Sequence, residues 1–255
     1  MTPKGRLYLV PVPLDLGSDA QVSLDEVLPL KTLRTAASLA HWIAENAKST
    51  RAFLKRVNLQ LPLSHPIQSQ SIQELPRQAH KQGDHLHDPD VAALLMPALQ
   101  GHDMGLVSEA GMPAVADPGS SVVRAAHRLG IEVIPLVGPS SPLLALAASG
   151  MNGQSFAFWG YLPIEAGERI KAIQRLEVLA KQGQAQMFIE VPHRNAALFQ
   201  SLIETLQSDT HLCLASNLTQ ASERIVSRSI QAWRQSPVPV DKQQAVLFVM
   251  GRWPA

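Results

Sequence analysis

The feature that most constrains this fold is an alternation of short apolar runs with amphipathic stretches along almost the whole chain. The apolar runs, such as residues 7–10 and 104–107, have the length of buried β-strands and are too short for typical helices. Amphipathic stretches lie between them, for example residues 118–129, which end at Gly130 as helices commonly do. This alternation is typical of an α/β protein whose mostly parallel sheet carries helices on both faces.

The same patterns assign the other elements. One helix is predicted over residues 23–40, a strand over 41–44, and a helix over 50–57 that Ser49 caps. Residues 58–86 are rich in Pro, Gln and Ser and are expected to form a long surface loop with at most one short element. A helix then begins at Asp88, the expected cap, and stops or kinks at Pro97. Further strands are predicted over residues 132–137, 156–161, 186–191, 211–216 and 244–250, and further helices over residues 143–149, 168–182, 195–206 and 230–234.

The length of 255 residues and the hydrophobic content of 45% are sufficient for two domains with buried cores. We expect an N-terminal α/β domain over residues 1–145, with a mostly parallel sheet, and a C-terminal α/β domain over residues 146–255. No apolar stretch approaches the roughly 20 residues of a membrane span. Cys213 lies in an apolar run and is the only cysteine, so no disulfide can form within the chain. We therefore expect a soluble, cytoplasmic protein with no membrane partner.

The net charge leaves the class of ligand open. Lys and Arg total 22 and Asp and Glu total 21, which gives a net charge of +1. Such a balance does not by itself indicate a nucleic-acid-binding protein. It does not exclude one, because a local basic face is enough to contact phosphates.

Glycine- and proline-rich loops follow three predicted strands of the first domain, at residues 11–15, 108–119 and 138–142. Ligands of open parallel sheets bind beyond the carboxyl ends of the strands, so we expect these loops to form a ligand site at one edge. The absence of G-x-G-x-x-G and G-x-x-x-x-G-K-[ST] argues against the usual nicotinamide dehydrogenases and P-loop enzymes. The absence of G-x-S-x-G argues against a serine hydrolase of the α/β type.

A metal site is not expected. His85 and His87 lie close to several aspartates, but loop and capping roles explain these residues better. No Cys/His spacing typical of zinc sites occurs.

Several segments, taken in order along the chain, carry a family resemblance. They are residues 7–14 (similar to L-Y-[IL]-V-x-T-P-[IL]-G), 107–119 (V-S-D-A-G-T-P…S-D-P-G), 135–140 (P-x-P-G-P-S), 160–163 (G-F-L-P), 188–194 (F-Y-E-S-P-H-R) and 217–223 (E-L-T-K…E). Together they resemble the ribosomal RNA small subunit methyltransferase I family of the tetrapyrrole methylase superfamily.

The resemblance implies a tetrapyrrole-methylase-like fold of two α/β domains, with S-adenosylmethionine in a ligand cleft between them, and commonly a homodimer. Members of the family methylate a ribose 2′-hydroxyl of small-subunit ribosomal RNA, so the implied partner is ribosomal RNA or the small ribosomal subunit. Superfamily relatives methylate porphyrin-like rings. Carried over by position, the cofactor-binding residues are Pro11, Val12, Glu109, Gly111, Met112, Ser140, Ser141, Val191 and Leu218.

The catalytic candidates implied by the resemblance are Glu190, His193 and Arg194. Glu190 or His193 is a candidate for the base that assists a hydroxyl nucleophile, and Arg194 is a candidate for contacting phosphate. For Glu190, an ion pair with Arg194 or a helix-capping role is an equally open alternative. A further basic cluster is expected on one helix, either as a solvated face or as an RNA-facing patch, and comprises Lys48, Arg51, Lys55 and Arg56.

The chain departs from the family pattern at several positions. Residues 45–48 read E-N-A-K where the family has E-D-T-R, and residues 58–86 contain no counterpart of Y-H-E-H-N. Asp15 stands in place of a glycine, and Glu109 in place of an aspartate. Two alternatives therefore stay open: a methyltransferase acting on a tetrapyrrole-like or other small acceptor, and a regulatory protein that binds the cofactor without catalysis.

Overall fold

The computed structural model describes residues 3–15, 21–76, 88–236, 240 and 246–253. The chain divides into two compact units, residues 1–140 and residues 141–255. Among the described residues, no helix combines the length and the apolar character that a bilayer span needs.

The first unit is built on a five-stranded sheet in the order β3-β2-β4-β1-β5. Every pairing in this sheet is parallel, so all strands end at the same edge. This arrangement confirms the predicted fold class. The strands are β1 (Leu7–Leu9), β2 (His41–Ala44), β3 (Ser71–Glu74), β4 (Met104–Val107) and β5 (Val133–Pro135).

Helices cover both faces of this sheet. Adjacent residues of a strand point to opposite faces, and Trp42 and Ile43 of β2 are both fully buried, each in a different hydrophobic cluster. The Trp42 cluster includes Leu54, and the Ile43 cluster includes Val122. The helices are α1 (Leu24–Val27), α2 (Leu30–Ser38), α3 (Ala47–Gln60), α4 (Asp88–Leu94), α5 (Met96–Leu99) and α6 (Ser120–Arg128), with a 3-10 turn at Ile67–Ser69.

Two of the differences from the predicted helices have clear local causes. The helix expected over residues 23–40 is broken into α1 and α2, because Pro29 disfavours helical backbone at Leu28, which is extended. Helix α3 begins before Ser49. Its cap is Asn46, whose Oδ1 accepts hydrogen bonds from the backbone N–H groups of Lys48 (2.8 Å) and Ser49 (3.3 Å). The capping role predicted for Asp88 involves a side chain outside the described residues.

The second unit has a five-stranded sheet in the order β6-β7-β10-β8-β9. Only the β6–β7 pair is parallel, and the other pairs are antiparallel. The strands are β6 (Phe156–Tyr161), β7 (Ala185–Glu190), β8 (His211–Ser216), β9 (Arg224–Ser229) and β10 (Val246–Gly251), and the helices are α7 (Ser141–Ser149), α8 (Ala166–Lys181), α9 (Asn195–Thr205) and α10 (Ile230–Gln235), with a 3-10 turn at Pro192–Arg194.

Helix α7 belongs to the second unit, which begins at residue 141. It packs on β8, β9 and β10, and its last carbonyl, that of Ser149, accepts a hydrogen bond from Ser227 Oγ at 2.8 Å. Strand β9 was not predicted. It is an edge strand with a largely polar sequence, and its side chains are only partly buried, so it carries a weak hydrophobic pattern.

Candidate functional site

The predicted loops of the first unit meet at the carboxyl edge of its sheet, because β4, β1 and β5 are neighbours. The loops after β1 and β4 are joined by a pair of backbone hydrogen bonds. Val12 N–H donates to the Gly111 carbonyl, and Gly111 N–H donates to the Val12 carbonyl, each at 3.0 Å. The path of both loops is therefore set by the backbone.

Two glycines make this close approach possible. Gly111 has φ +71°, and a Cβ there would lie 3.1 Å from Leu14 Cδ2. A Cβ at Gly138 would lie 2.3 Å from Pro11 Cγ, which is shorter than any tolerable contact. Glycine is thus required where the loop after β1 meets both neighbouring loops.

The loop after β4 also contains unusual backbone conformations. Ala114 and Ala116 both have φ +65°, a left-handed conformation that side chains other than glycine rarely adopt. Each such residue costs on the order of 1 kcal/mol and persists where the surrounding structure enforces it, often at functional sites.

Glu109 lies two residues after the end of β4, and its side chain is exposed. Its backbone N–H donates to Glu45 Oε2 at 3.0 Å, and Glu45 N–H donates to the Val107 carbonyl at 3.1 Å. The loops after β2 and β4 are therefore connected, which brings the carboxylates of Glu45 and Glu109 into one region.

Asp117 completes this acidic region and was not singled out from the sequence. Burial and, after it, the nearby carboxylates of Glu45 and Glu109 raise the pKa of its carboxyl to about 7, although a hydrogen bond with Ser108 acts in the opposite direction. The carboxyl is half-buried in the loop that precedes α6. The order of the strands places Glu45 beside the loop that contains Glu109 and Asp117, and burial of Asp117 is the largest cause of the shift, so the sequence pattern contains no signal for it.

The remaining predicted cofactor residues of the first unit lie in the same loops. Pro11 and Val12 are buried and Met112 is half-buried. Ser140 Oγ is buried and has no hydrogen-bond partner among the described residues. Buried polar atoms in proteins nearly always have a partner, so an unsatisfied hydroxyl here is consistent with a ligand contact.

In the second unit, Glu190 ends β7 and forms a buried ion pair. Its Oε1 accepts hydrogen bonds from Arg194 Nη2 at 2.7 Å, from Arg194 Nε at 3.0 Å and from the Val191 N–H at 2.8 Å. The side chain of Glu190 is only 3% exposed. The sequence left two roles open for Glu190, a catalytic base or an ion pair with Arg194, and the structure contains the ion pair.

His193 differs from its neighbours. It lies in the 3-10 turn before α9, its side chain is exposed, and the structure gives it no hydrogen-bond partner within the described ranges. Its imidazole is therefore available to an incoming group.

The loop after β8 carries the last predicted cofactor residue, Leu218, which is buried. Its neighbours Asn217 and Thr219 have φ +50° and +69°, and a left-handed conformation is a clear outlier for the β-branched Thr219. Thr219 Oγ1 is buried without a partner in the described part of the chain. Strain and an unsatisfied hydroxyl thus occur together here. Of the other two predicted cofactor residues of this unit, Val191 lies directly before the 3-10 turn at Pro192–Arg194, and Ser141 is the first residue of α7.

A cavity of about 310 Å³ opens beside the first-unit loops. Its wall contains a buried ion pair, in which Arg56 Nη1 lies 2.8 Å from Asp15 Oδ2. The cavity is lined by Val12, Pro13, Asp15, Gln21, Ser49, Thr50, Ala52, Phe53, Arg56, Val107, Ser108 and Glu109.

The structure separates the predicted basic cluster into two parts. Lys48, Arg51 and Lys55 are exposed on α3, whereas Arg56 turns inward to Asp15. Within the described residues, no group of three or more His, Cys, Asp or Glu side chains could hold a metal ion. His85 and His87 lie outside those residues.

The first unit is thus a parallel sheet whose loops at the carboxyl edge are shaped by glycines, and the second unit contains a mixed sheet. The family model of the tetrapyrrole (corrin/porphyrin) methylases matches residues 27–232. The chain belongs to this family of methyltransferases, and within it to the ribosomal RNA small subunit methyltransferase I group.

The relatives that carry this assignment span most of the chain. Ribosomal RNA small subunit methyltransferase I of Mesorhizobium japonicum is 30% identical over 244 residues, which cover 95% of this chain and 74% of that protein. The Vibrio cholerae protein of the same name is 30% identical over 249 residues, covering 96% and 77%. The crystal structure of the methyltransferase CobJ has a TM-score of 0.56 at 15% identity, covers 97% of this chain and 94% of its own, and supports the fold.

Proposed function

We propose that this protein uses S-adenosylmethionine to methylate RNA, at a ribose 2′-hydroxyl of small-subunit ribosomal RNA. The observation that carries the proposal is the interlocked loop edge of the first unit, where Val12 and Gly111 pair through their backbones. It occurs in a chain whose relatives are named ribosomal RNA methyltransferases.

The proposed cofactor contacts are the nine residues that the family resemblance implies. Unsatisfied buried hydroxyls support this set, since Ser140 Oγ lies among the residues of the first unit and Thr219 Oγ1 is next to Leu218 in the second. Each hydroxyl offers a donor to a polar ligand. The contacts are Pro11, Val12, Glu109, Gly111, Met112 and Ser140 in the first unit, and Ser141, Val191 and Leu218 in the second.

S-adenosylmethionine, when bound, supplies a methyl group that its sulfonium already activates. The protein must then hold the acceptor oxygen in line and accept its proton. We assign His193 as the base that accepts this proton, because its imidazole is exposed and makes no hydrogen bond within the described ranges. The guanidinium of Arg194, which Glu190 holds in place by accepting two hydrogen bonds from it, contacts an RNA phosphate in this proposal. Glu190 therefore acts as a positioning residue.

We further propose a cytoplasmic homodimer. Large side chains are exposed on the edge strand β6, where Phe156, Trp159 and Tyr161 are 42%, 40% and 57% exposed. An apolar edge strand favours association. The cytoplasmic location follows from the proposed ribosomal substrate and from a single cysteine, which excludes a disulfide within the chain.

Calorimetric titration with S-adenosylmethionine tests the cofactor. Labelled-methyl transfer to small ribosomal subunits from cells that lack the gene then tests the acceptor. We expect both to succeed, and His193→Ala to reduce transfer while leaving cofactor binding unchanged. Binding without transfer to ribosomal subunits would contradict the RNA acceptor and leave a small ring or a regulatory role. The absence of binding would contradict the cofactor.

A further inference from the structure

Helix α3 presents two chemically different faces. Phe53 and Arg56 line the cavity of the first unit on one face. Lys48, Arg51 and Lys55 follow one another at spacings of three and four residues, so they share a neighbouring face, which is exposed. The helix therefore carries a cavity wall beside a cationic stripe.

The cavity carries more negative than positive charge. Two carboxylates, those of Asp15 and Glu109, line it together with one guanidinium, that of Arg56. Arg56 is already committed, because Nη1 donates to Asp15 Oδ2 at 2.8 Å and Nη2 donates to the Val22 carbonyl at 2.7 Å. Turning Arg56 to a bound anion would break both bonds and leave the buried Asp15 carboxylate without this partner.

This charge selects the kind of group that enters. Phosphates and carboxylates would be repelled by Asp15 and Glu109, whereas hydroxyl and amino groups can donate hydrogen bonds to them. The volume of about 310 Å³ lies at the lower end of the range for ligand pockets, roughly 300 to 1,000 Å³. The cavity therefore suits a single nucleoside better than a macrocycle with several carboxylates.

The cationic stripe, unlike the cavity, favours anionic groups. Lys48, Arg51 and Lys55 are exposed, and the described part of the structure gives none of them an ion-pair partner. Three free cations on one helix face match the repeating phosphates of a nucleic-acid strand.

We propose that α3 is the acceptor-binding helix: one unstacked nucleoside of the RNA enters the cavity and donates a hydrogen bond to Asp15. The flanking phosphates lie on Lys48, Arg51 and Lys55. Arg56 is a positioning residue, since it holds the Asp15 carboxylate at the wall. This inference rests on the proposed function and specifies how its acceptor is recognised.

The stripe is tested with a fluorescent single-stranded RNA 12-mer, titrated against the full chain with S-adenosylhomocysteine at several salt concentrations. K48Q/R51Q is compared with K31Q/R34Q on α2, which removes two exposed charges at the same spacing. We expect the α3 variant to bind about tenfold more weakly, with a salt slope smaller by about 0.7 per lost contact. Equal losses in the two variants would overturn the role of the stripe.

The cavity is tested by calorimetry with the four ribonucleosides and uroporphyrin. We expect nucleosides to bind at least about tenfold more tightly than uroporphyrin, and Asp15→Asn to lower nucleoside affinity about tenfold or more. Arg56→Lys keeps the charge pair if Asp15→Asn fails to fold, and should also weaken nucleoside binding without changing cofactor affinity. Tighter binding of uroporphyrin, or unchanged nucleoside affinity in both variants, would overturn the proposal.

Methyl transfer separates this inference from the function on which it rests. A wild-type protein that shows these preferences but methylates no ribosomal subunit would contradict the proposed function alone. Normal transfer by K48Q/R51Q and Asp15→Asn would overturn the role of α3 and leave the function intact.

Discussion

The two units build their candidate ligand-binding loops in different ways, and the difference shows which residues can be replaced. In the first unit, backbone pairing and glycines hold the loops, as at Val12, Gly111 and Gly138. In the second unit, the segment after β7 is held by side chains, through the ion pair of Glu190 and Arg194. A backbone-built site tolerates no added Cβ, whereas a side-chain-built site depends on charge.

The first prediction tests the backbone-built site and has the largest expected effect. Gly138→Ala places a Cβ 2.3 Å from Pro11 Cγ, so we expect a loss of about 3 kcal/mol in the free energy of unfolding and weaker cofactor binding. Gly153→Ala is the matched control, since a Cβ there meets nothing within 4 Å. Urea unfolding measures both variants. Similar stabilities for the two would contradict the close packing of the loops.

The second prediction tests the side-chain-built site. Glu190→Gln removes the charge from a carboxylate that accepts bonds from Arg194, and we expect a loss of about 2 kcal/mol. Glu168→Gln, which disrupts the exposed pair with Lys171, should cost less than about 0.5 kcal/mol. Thermal unfolding at constant pH compares them, and equal costs would mean that burial adds nothing to the Glu190 pair.

The third prediction concerns the acidic region of the first unit. The pKa of Asp117 is raised to about 7 in the folded chain, so the folded state binds a proton that the unfolded state releases above about pH 4. The stabilisation from this group is therefore complete below pH 4 and is lost as the pH rises through about 7.

Asp117→Asn should flatten this dependence and make the protein more stable than the wild type at pH 8, by about 1 to 2 kcal/mol after allowance for partial exposure. Denaturant midpoints between pH 4 and pH 8 measure the effect. A wild type and variant with parallel pH profiles would show that Asp117 has an ordinary pKa.

The fourth prediction is the smallest and tests the start of the acceptor helix α3. Asn46→Ala removes the side chain that caps its first turn and should cost about 1 kcal/mol. Ser49→Ala, at the position that the sequence favoured, should cost less than about 0.5 kcal/mol, since its hydroxyl only bonds the Asn46 carbonyl. Urea unfolding measures both variants, and a larger loss of stability for Ser49→Ala than for Asn46→Ala would indicate that Ser49 is the cap.

Much of the fold was predictable from local pattern. Strands β4, β6 and β8 have the predicted bounds, because continuous apolar runs of strand length need no other information. The break at Pro29 was missed although its cause is also local, since the hydrophobic spacing on either side of the proline imitates one continuous helix. Strand β9 was missed because a partly exposed edge strand has little apolar periodicity.

The sequence by itself determined the family, most of the strands and the loops at which a ligand is expected, since apolar periodicity, glycines and prolines act locally. Only the tertiary structure decided which charges meet. The order β3-β2-β4-β1-β5 brings Glu45 beside Glu109 and Asp117, and the packing of α3 turns Arg56 to Asp15 while Lys48 stays in solvent. Electrostatic contacts depend on distances between residues far apart in the chain, which no local pattern contains.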